Sequence, residues 1–249
     1  MGGSSSTTIS LLFFLIPVLV PGAAMASIFV FTNRCQETIY PGVLTNPGKP
    51  GFPTTGFALP RGPDAAFADV PAGWAGRIWG RYRCANDASG SFGCASGDCA
   101  TGRVECNGNG NQAPSTLAEF TLNGQNGVDF YDISNVDGFN VPIQILPYGH
   151  ATSCATVSCA ANIVAACPPE LAARAADGST VGCRSACGAF NTDEFCCRGA
   201  FGTPDRCGPS RYSEFFKAQC PQAYSYAYDD RSSTFTCPSG GNYQIIFCP

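Results

Sequence analysis

The stretch GCASGDCATGRVEC, residues 93–106, holds three cysteines between Cys94 and Cys106 and sets Asp98 directly before the middle one, Cys99. Cysteines this dense form either a metal site or a disulfide framework. Zinc knuckles space their thiolates closely, as Cys-x2–4-Cys. The spacings here are Cys94-x4-Cys99 and Cys99-x6-Cys106, and the chain's one histidine is His150, in LPYGHATSC. A lone histidine supplies neither a zinc site nor a catalytic triad. It reads as a loop residue.

The N-terminus points the same way. Residues 1–26 carry no charged side chain, and LLFFLIPVLV gives them an apolar core closed by Ala24 and Ala26 before Ser27. That is the pattern of a secretory signal peptide, 1–26. The run is broken by Pro17 and Pro21 and falls short of the roughly 20 residues of a membrane span. A secreted, extracellular chain is expected, with no stable membrane insertion. Its 16 cysteines, an even number, then default to eight disulfides in an oxidising compartment.

Charge excludes further classes. The formal net charge is −4, only Lys49 and Lys217 are lysines, and the arginines are dispersed. Nucleic acid and anionic membranes are therefore poor partners. No cofactor motif, no metal set and no sign of oligomerisation is present, so a cofactor-free monomer is expected.

Short β-rich runs dominate. SIFVFTN, GRIWGRYRC, TLAEFTL, VDFYDIS, GFNVPIQILP, STFTC and YQIIFC alternate or cluster β-branched and aromatic residues, with turn signals such as NGQNG between them. This reads as a β-sandwich or barrel. The exception lies between Cys154 and Cys220, which holds nine of the cysteines. There PPELAARA predicts a helix with prolines at its start and Asp177-Gly178 beyond its end.

At this point the motifs carry a resemblance. GSFGCASGDCATGRVEC, with Ser96 where threonine is usual, resembles the signature of the thaumatin-like proteins, the plant pathogenesis-related family five or osmotin-like proteins. GRIWGR, STLAEFTL, DISNVDGFNVPI, EFCC, YSEFFKAQCP, YSYAYDD and NYQIIFCP look like that family's counterparts along the whole mature chain. The resemblance implies a mainly β fold: a β-sandwich core (27–81, 115–160 and 221–249), a disulfide-rich helical lobe with a long helix (161–220) and a small disulfide-rich loop domain (82–114). By cysteine order it implies the bridges Cys35–Cys248, Cys84–Cys94, Cys99–Cys106, Cys154–Cys237, Cys159–Cys220, Cys167–Cys183, Cys187–Cys196 and Cys197–Cys207.

It also implies an acidic cleft lined by Arg77, Glu119, Asp132, Asp137 and Asp229, with Asp230 the rival of Asp229. Glu119 and Asp132 flank NGQNG, but a one-residue slip in register would put them on opposite faces. The function implied is plant defence or stress, with β-1,3-glucan or another cell-wall carbohydrate as partner. The cleft either binds it or acts as a weak endo-β-1,3-glucanase, with Glu119 as general acid and Asp137 as second carboxylate. The alternative is a non-enzymatic antifungal or stress protein acting on membranes or a cell-surface protein. Asp98 falls outside these five residues and is expected to brace its own loop.

Overall fold

The computed structural model describes residues 26–249. The expected signal peptide therefore lies outside the described residues, apart from Ala26. The first half of the chain is strand-rich: β1 (Ser27–Asn33), β2 (Tyr40–Thr45), β3 (Ala65–Val70), β4 (Ala75–Asn86), β5 (Phe92–Ser96), β6 (Leu117–Thr121), β7 (Val128–Ser134) and β8 (Ile143–Tyr148). Then come β9 (Val157–Cys159), α1 (Ile163–Ala166), β10 (Ala172–Arg174), β11 (Thr180–Cys183), α2 (Ala186–Phe190), α3 (Asp193–Cys196), α4 (Arg211–Gln219) and α5 (Asp230–Ser233). β12 (Phe235–Pro238) and β13 (Asn242–Phe247) complete it.

The strands form a five-stranded sheet, β3-β1-β13-β8-β9, and a six-stranded sheet, β12-β7-β6-β4-β2, with β5 added to β4. β1 and β13 run parallel, while their outer neighbours are antiparallel. The alternation read in the sequence decides which residues lie between the sheets. Phe29, Phe31, Ile145 and Tyr243 come from one sheet, and Ile78, Phe120, Tyr131 and Ile133 from the other, all buried in one cluster. Phe29 meets Phe120 edge-on at 5.0 Å between ring centres, a favoured aromatic geometry. Asp129 is buried in this layer and accepts from the Tyr243 hydroxyl (2.8 Å), the Ser239 hydroxyl and the Asn123 amide. A buried carboxylate needs such donors.

All sixteen cysteines are bonded, in the eight pairs implied by the resemblance. Cys154 and Cys237 lie near His150 but are joined to each other, so they offer no thiolates. His150 itself sets Nδ1 2.9 Å from Pro238 O and Nε2 3.2 Å from Asn242 O.

Two expectations are corrected. PPELAARA is not a helix: Pro168–Leu171 turns, and Ala172–Arg174 is β10, paired with β11. Asp177 and Gly178 close the hairpin, with Gly178 at φ +81°. The two prolines supply no amide hydrogens for helix bonds. The Cys167–Cys183 bridge draws the segment against β11, and Leu171 and Ala173 alternate inward. Tertiary constraint overrides the propensity of an alanine-rich run. The lobe also has no long helix among the described residues: α4, at nine residues, is the longest.

Candidate acidic cleft

The outward face of the six-stranded sheet holds the site. β4 presents Arg77, Trp79 and Arg81 outward, and Ile78 and Gly80 toward the core. The residues around GCASGDC cover the far end of this face. Trp79 is buried against Leu117 and the Cys99–Cys106 bridge, and its indole N–H donates to Gly97 O at 2.7 Å. Arg81 is also buried. Its guanidinium donates to the carbonyls of Tyr40, Pro41 and Val104. Burial lowers its pKa to about 10, with Asp98 and Glu105 opposing, so it stays charged at neutral pH. Asp98 accepts from the amides of Cys94 and Ala100. It braces its loop, as expected, away from the cleft.

The near end of the face is open. The register aligns Arg77 with Glu119 and Glu119 with Asp132, so the three form one row across β4, β6 and β7. Directly paired side chains keep their Cβ atoms about 4.5–5.5 Å apart. The next residues inward, Gly76, Phe120 and Tyr131, form the matching row on the core side. The register that the sequence left open is thus the one that gathers the charges. Asp137, on the turn after β7, reaches back: its Oδ2 lies 3.8 Å from Arg77 Nη1 and accepts from Asn111 Nδ2 at 3.1 Å.

Asp229 is a correction. It does not line the cleft. Its Oδ2 lies 2.8 Å from Lys217 Nζ, and it accepts from the Ser225 amide, the Ser225 hydroxyl and the Ser232 hydroxyl. Asp230 takes the cleft position, with Oδ1 accepting from the Tyr224 hydroxyl at 2.7 Å. The two neighbours diverge because α5 begins between them, directing their side chains apart. Lys217, on α4, also donates to Ala223 O and the Ser233 hydroxyl, each at 2.9 Å. Lys217 and Asp229 therefore clamp the segment that carries Tyr224 and Asp230 onto the lobe. Neither residue role was legible without the lobe in place.

The resulting cleft encloses about 450 Å³, walled by the Arg77 row, Asp137, Tyr224 and Asp230. One guanidinium faces four carboxyl groups. Burial, then the neighbouring charges of Glu119 and Asp230, push Asp132 up to about 8. Burial likewise raises Glu119, with Asp137 adding and with Arg77 and the Ser134 hydroxyl pulling back. Like charges this close share protons rather than ionise together. Asp132 Oδ1 and Arg77 Nε are buried without a hydrogen-bond partner, so neither group is fully satisfied within the fold.

Comparison with known proteins agrees with this architecture. Residues 33–249 match the Thaumatin family. The chain is 53% identical over 221 residues to "Thaumatin-like protein 1" of Pyrus pyrifolia, covering 89% of this chain and 90% of that one. It is 49% identical over 244 residues to a Prunus avium protein named "Glucan endo-1,3-beta-glucosidase", covering 98% and 99%. A sandwich of these two sheets stapled by eight bridges is the architecture of a thaumatin-type protein. The chain belongs to the thaumatin family.

Proposed function

We propose that the chain is a secreted plant defence protein whose acidic cleft binds β-1,3-glucan and hydrolyses it slowly. The observation that carries this reading is the row Arg77–Glu119–Asp132, where a cation stands beside two carboxyls whose pKa values are raised. A neutral polyol offers hydroxyls that both donate and accept. Protonated and ionised carboxyls side by side match that mixture, and the guanidinium adds fixed donors. Glycoside hydrolysis needs one carboxyl holding a proton and a second ionised one. Glu119 or Asp132 holds the proton, and Asp137, next to Arg77, is the second group. Arg77 also opposes the upward shift of Glu119, which slows turnover relative to binding. The Prunus avium relative's name supports the substrate. The uncharged, apolar stretch 1–26, closed by Ala24 and Ala26, supports secretion with cleavage before Ser27.

The test is a pulldown on insoluble β-1,3-glucan with a reducing-end assay on the same samples. Wild type is retained and releases ends slowly. Glu119→Ala loses retention, and Glu119→Gln and Asp132→Asn lose release. Full retention of Glu119→Ala refutes binding in this cleft. Retention without any release leaves a glucan-binding protein and removes the hydrolase.

A further inference from the structure

A second cavity, of about 230 Å³, lies in the disulfide-rich lobe. Val136 and Ala227 line both it and the acidic cleft. The waist between the two is a fixed piece of structure. Ser134 and Tyr224 form a parallel bridge, Asn135 N donates to Tyr224 O, and Tyr224 N donates to Ile133 O, each at 2.8 Å. Along Tyr224–Ala227 the chain faces both ways: Tyr224 and Ala227 wall the cleft, while Ser225, Tyr226 and Ala227 wall the lobe cavity.

We propose that the lobe cavity is a second binding region for the same polysaccharide, taking the sugar units that continue past Val136 and Ala227. This rests on the glucan reading of the cleft and extends it. The two regions differ in chemistry. The cleft offers carboxyls. The lobe cavity has one carboxyl, Glu194, and offers the half-buried rings of Phe195, Phe201 and Tyr226, with Arg206 beside them. Arg206 is exposed, and among the described residues its guanidinium has no hydrogen-bond or ion-pair partner. Rings cover the apolar C–H face of a pyranose, and a guanidinium supplies donors to its hydroxyls.

The cavity is also preformed. Cys187–Cys196 and Cys197–Cys207 frame it, and the Tyr228 hydroxyl ties the 224–229 segment to Gly202 O at 2.8 Å. A rigid wall loses little freedom when a ligand settles on it. Only a small waist, with Ala227 exposed on it, separates the regions. The ligand that fills both is elongated and repeats its hydroxyls, which is the form of a β-linked chain rather than of a compact metabolite.

The experiment titrates a ladder of β-1,3-gluco-oligosaccharides, short to long, into wild type, Arg206→Ala, Phe201→Ala and Glu119→Ala by calorimetry. Thermal unfolding of each variant confirms that it is folded. Wild type binds long oligomers more tightly than short ones. Arg206→Ala and Phe201→Ala each lose that gain, about tenfold in Kd for the longest, as expected for one removed contact. Glu119→Ala weakens every length. If wild type gains with length and both lobe variants follow it at every length, the lobe region is refuted and the cleft reading stands. If wild type binds no oligomer, both fall together.

Discussion

Replacing Asp132 by asparagine tests the electrostatics of the cleft without changing its shape. In the unfolded chain this carboxyl titrates near its ordinary value of 3.8, whereas in the fold burial and its acidic neighbours raise it to about 8. Between those values the folded chain keeps a proton that the unfolded chain has released. Stability then falls as pH rises: the contribution is fully present below the lower value and lost as pH passes the upper one. One such proton sets a slope of at most about 1.4 kcal/mol per pH unit. Asp132 is half-buried and shares its proton with Glu119, so about half of that is realistic. From pH 4 to pH 6 the wild type loses about 1–1.5 kcal/mol on that basis, equivalent to about 2–6 °C in Tm for a chain of this size. Asparagine does not titrate. Asp132→Asn is expected to match wild type below pH 4 and to exceed it increasingly toward pH 8, with a residual slope from Glu119. Circular-dichroism melting curves across that range give the answer. Parallel curves for the two proteins would show that Asp132 is an ordinary solvated carboxylate and remove it as a candidate proton donor, leaving Glu119.

Lys217→Met strips the counter-charge from Asp229, whose side chain is only 12% exposed, and should cost about 1–2 kcal/mol by urea denaturation. It should also weaken glucan retention, since the Tyr224–Asp230 wall is clamped by this pair; unchanged retention would uncouple the clamp from the cleft. Ser210→Ala removes the capping box of α4, in which Ser210 and Ser213 exchange side-chain bonds with each other's amides, and should cost about 1 kcal/mol in the same assay. Gly97→Ala places a Cβ at φ +72°, 2.9 Å from Gly80 O, and should cost at least about 1–2 kcal/mol from backbone strain alone; equal stability would mean that the loop moves freely off β4.

How much was legible depended on whether neighbours in sequence or in space decide a residue's role. GRIWGRYRC was legible as a strand, β4, because a strand's period is a local property. The partners across that strand are not local. Glu119 and Asp132 could be placed near each other from NGQNG, but only the paired backbones show that both lie beside Arg77. Asp98 was readable as a brace because its donors are amides two and four residues away. Asp229 and Asp230 were not separable, since the difference between them is Lys217, twelve residues before Asp229 and on another element. PPELAARA misled for the same reason. Its local signals favour a helix, and a bridge to Cys183 decides otherwise.

β13 is the last strand in chain order among the described residues and sits between β1 and β8 in the middle of its sheet. Until residues 242–247 emerge, β1 and β8 each present an unpaired edge toward an empty slot. The sheet cannot close until β13 has been made. Loss of residues 242–247 therefore opens the centre of the sandwich rather than its margin.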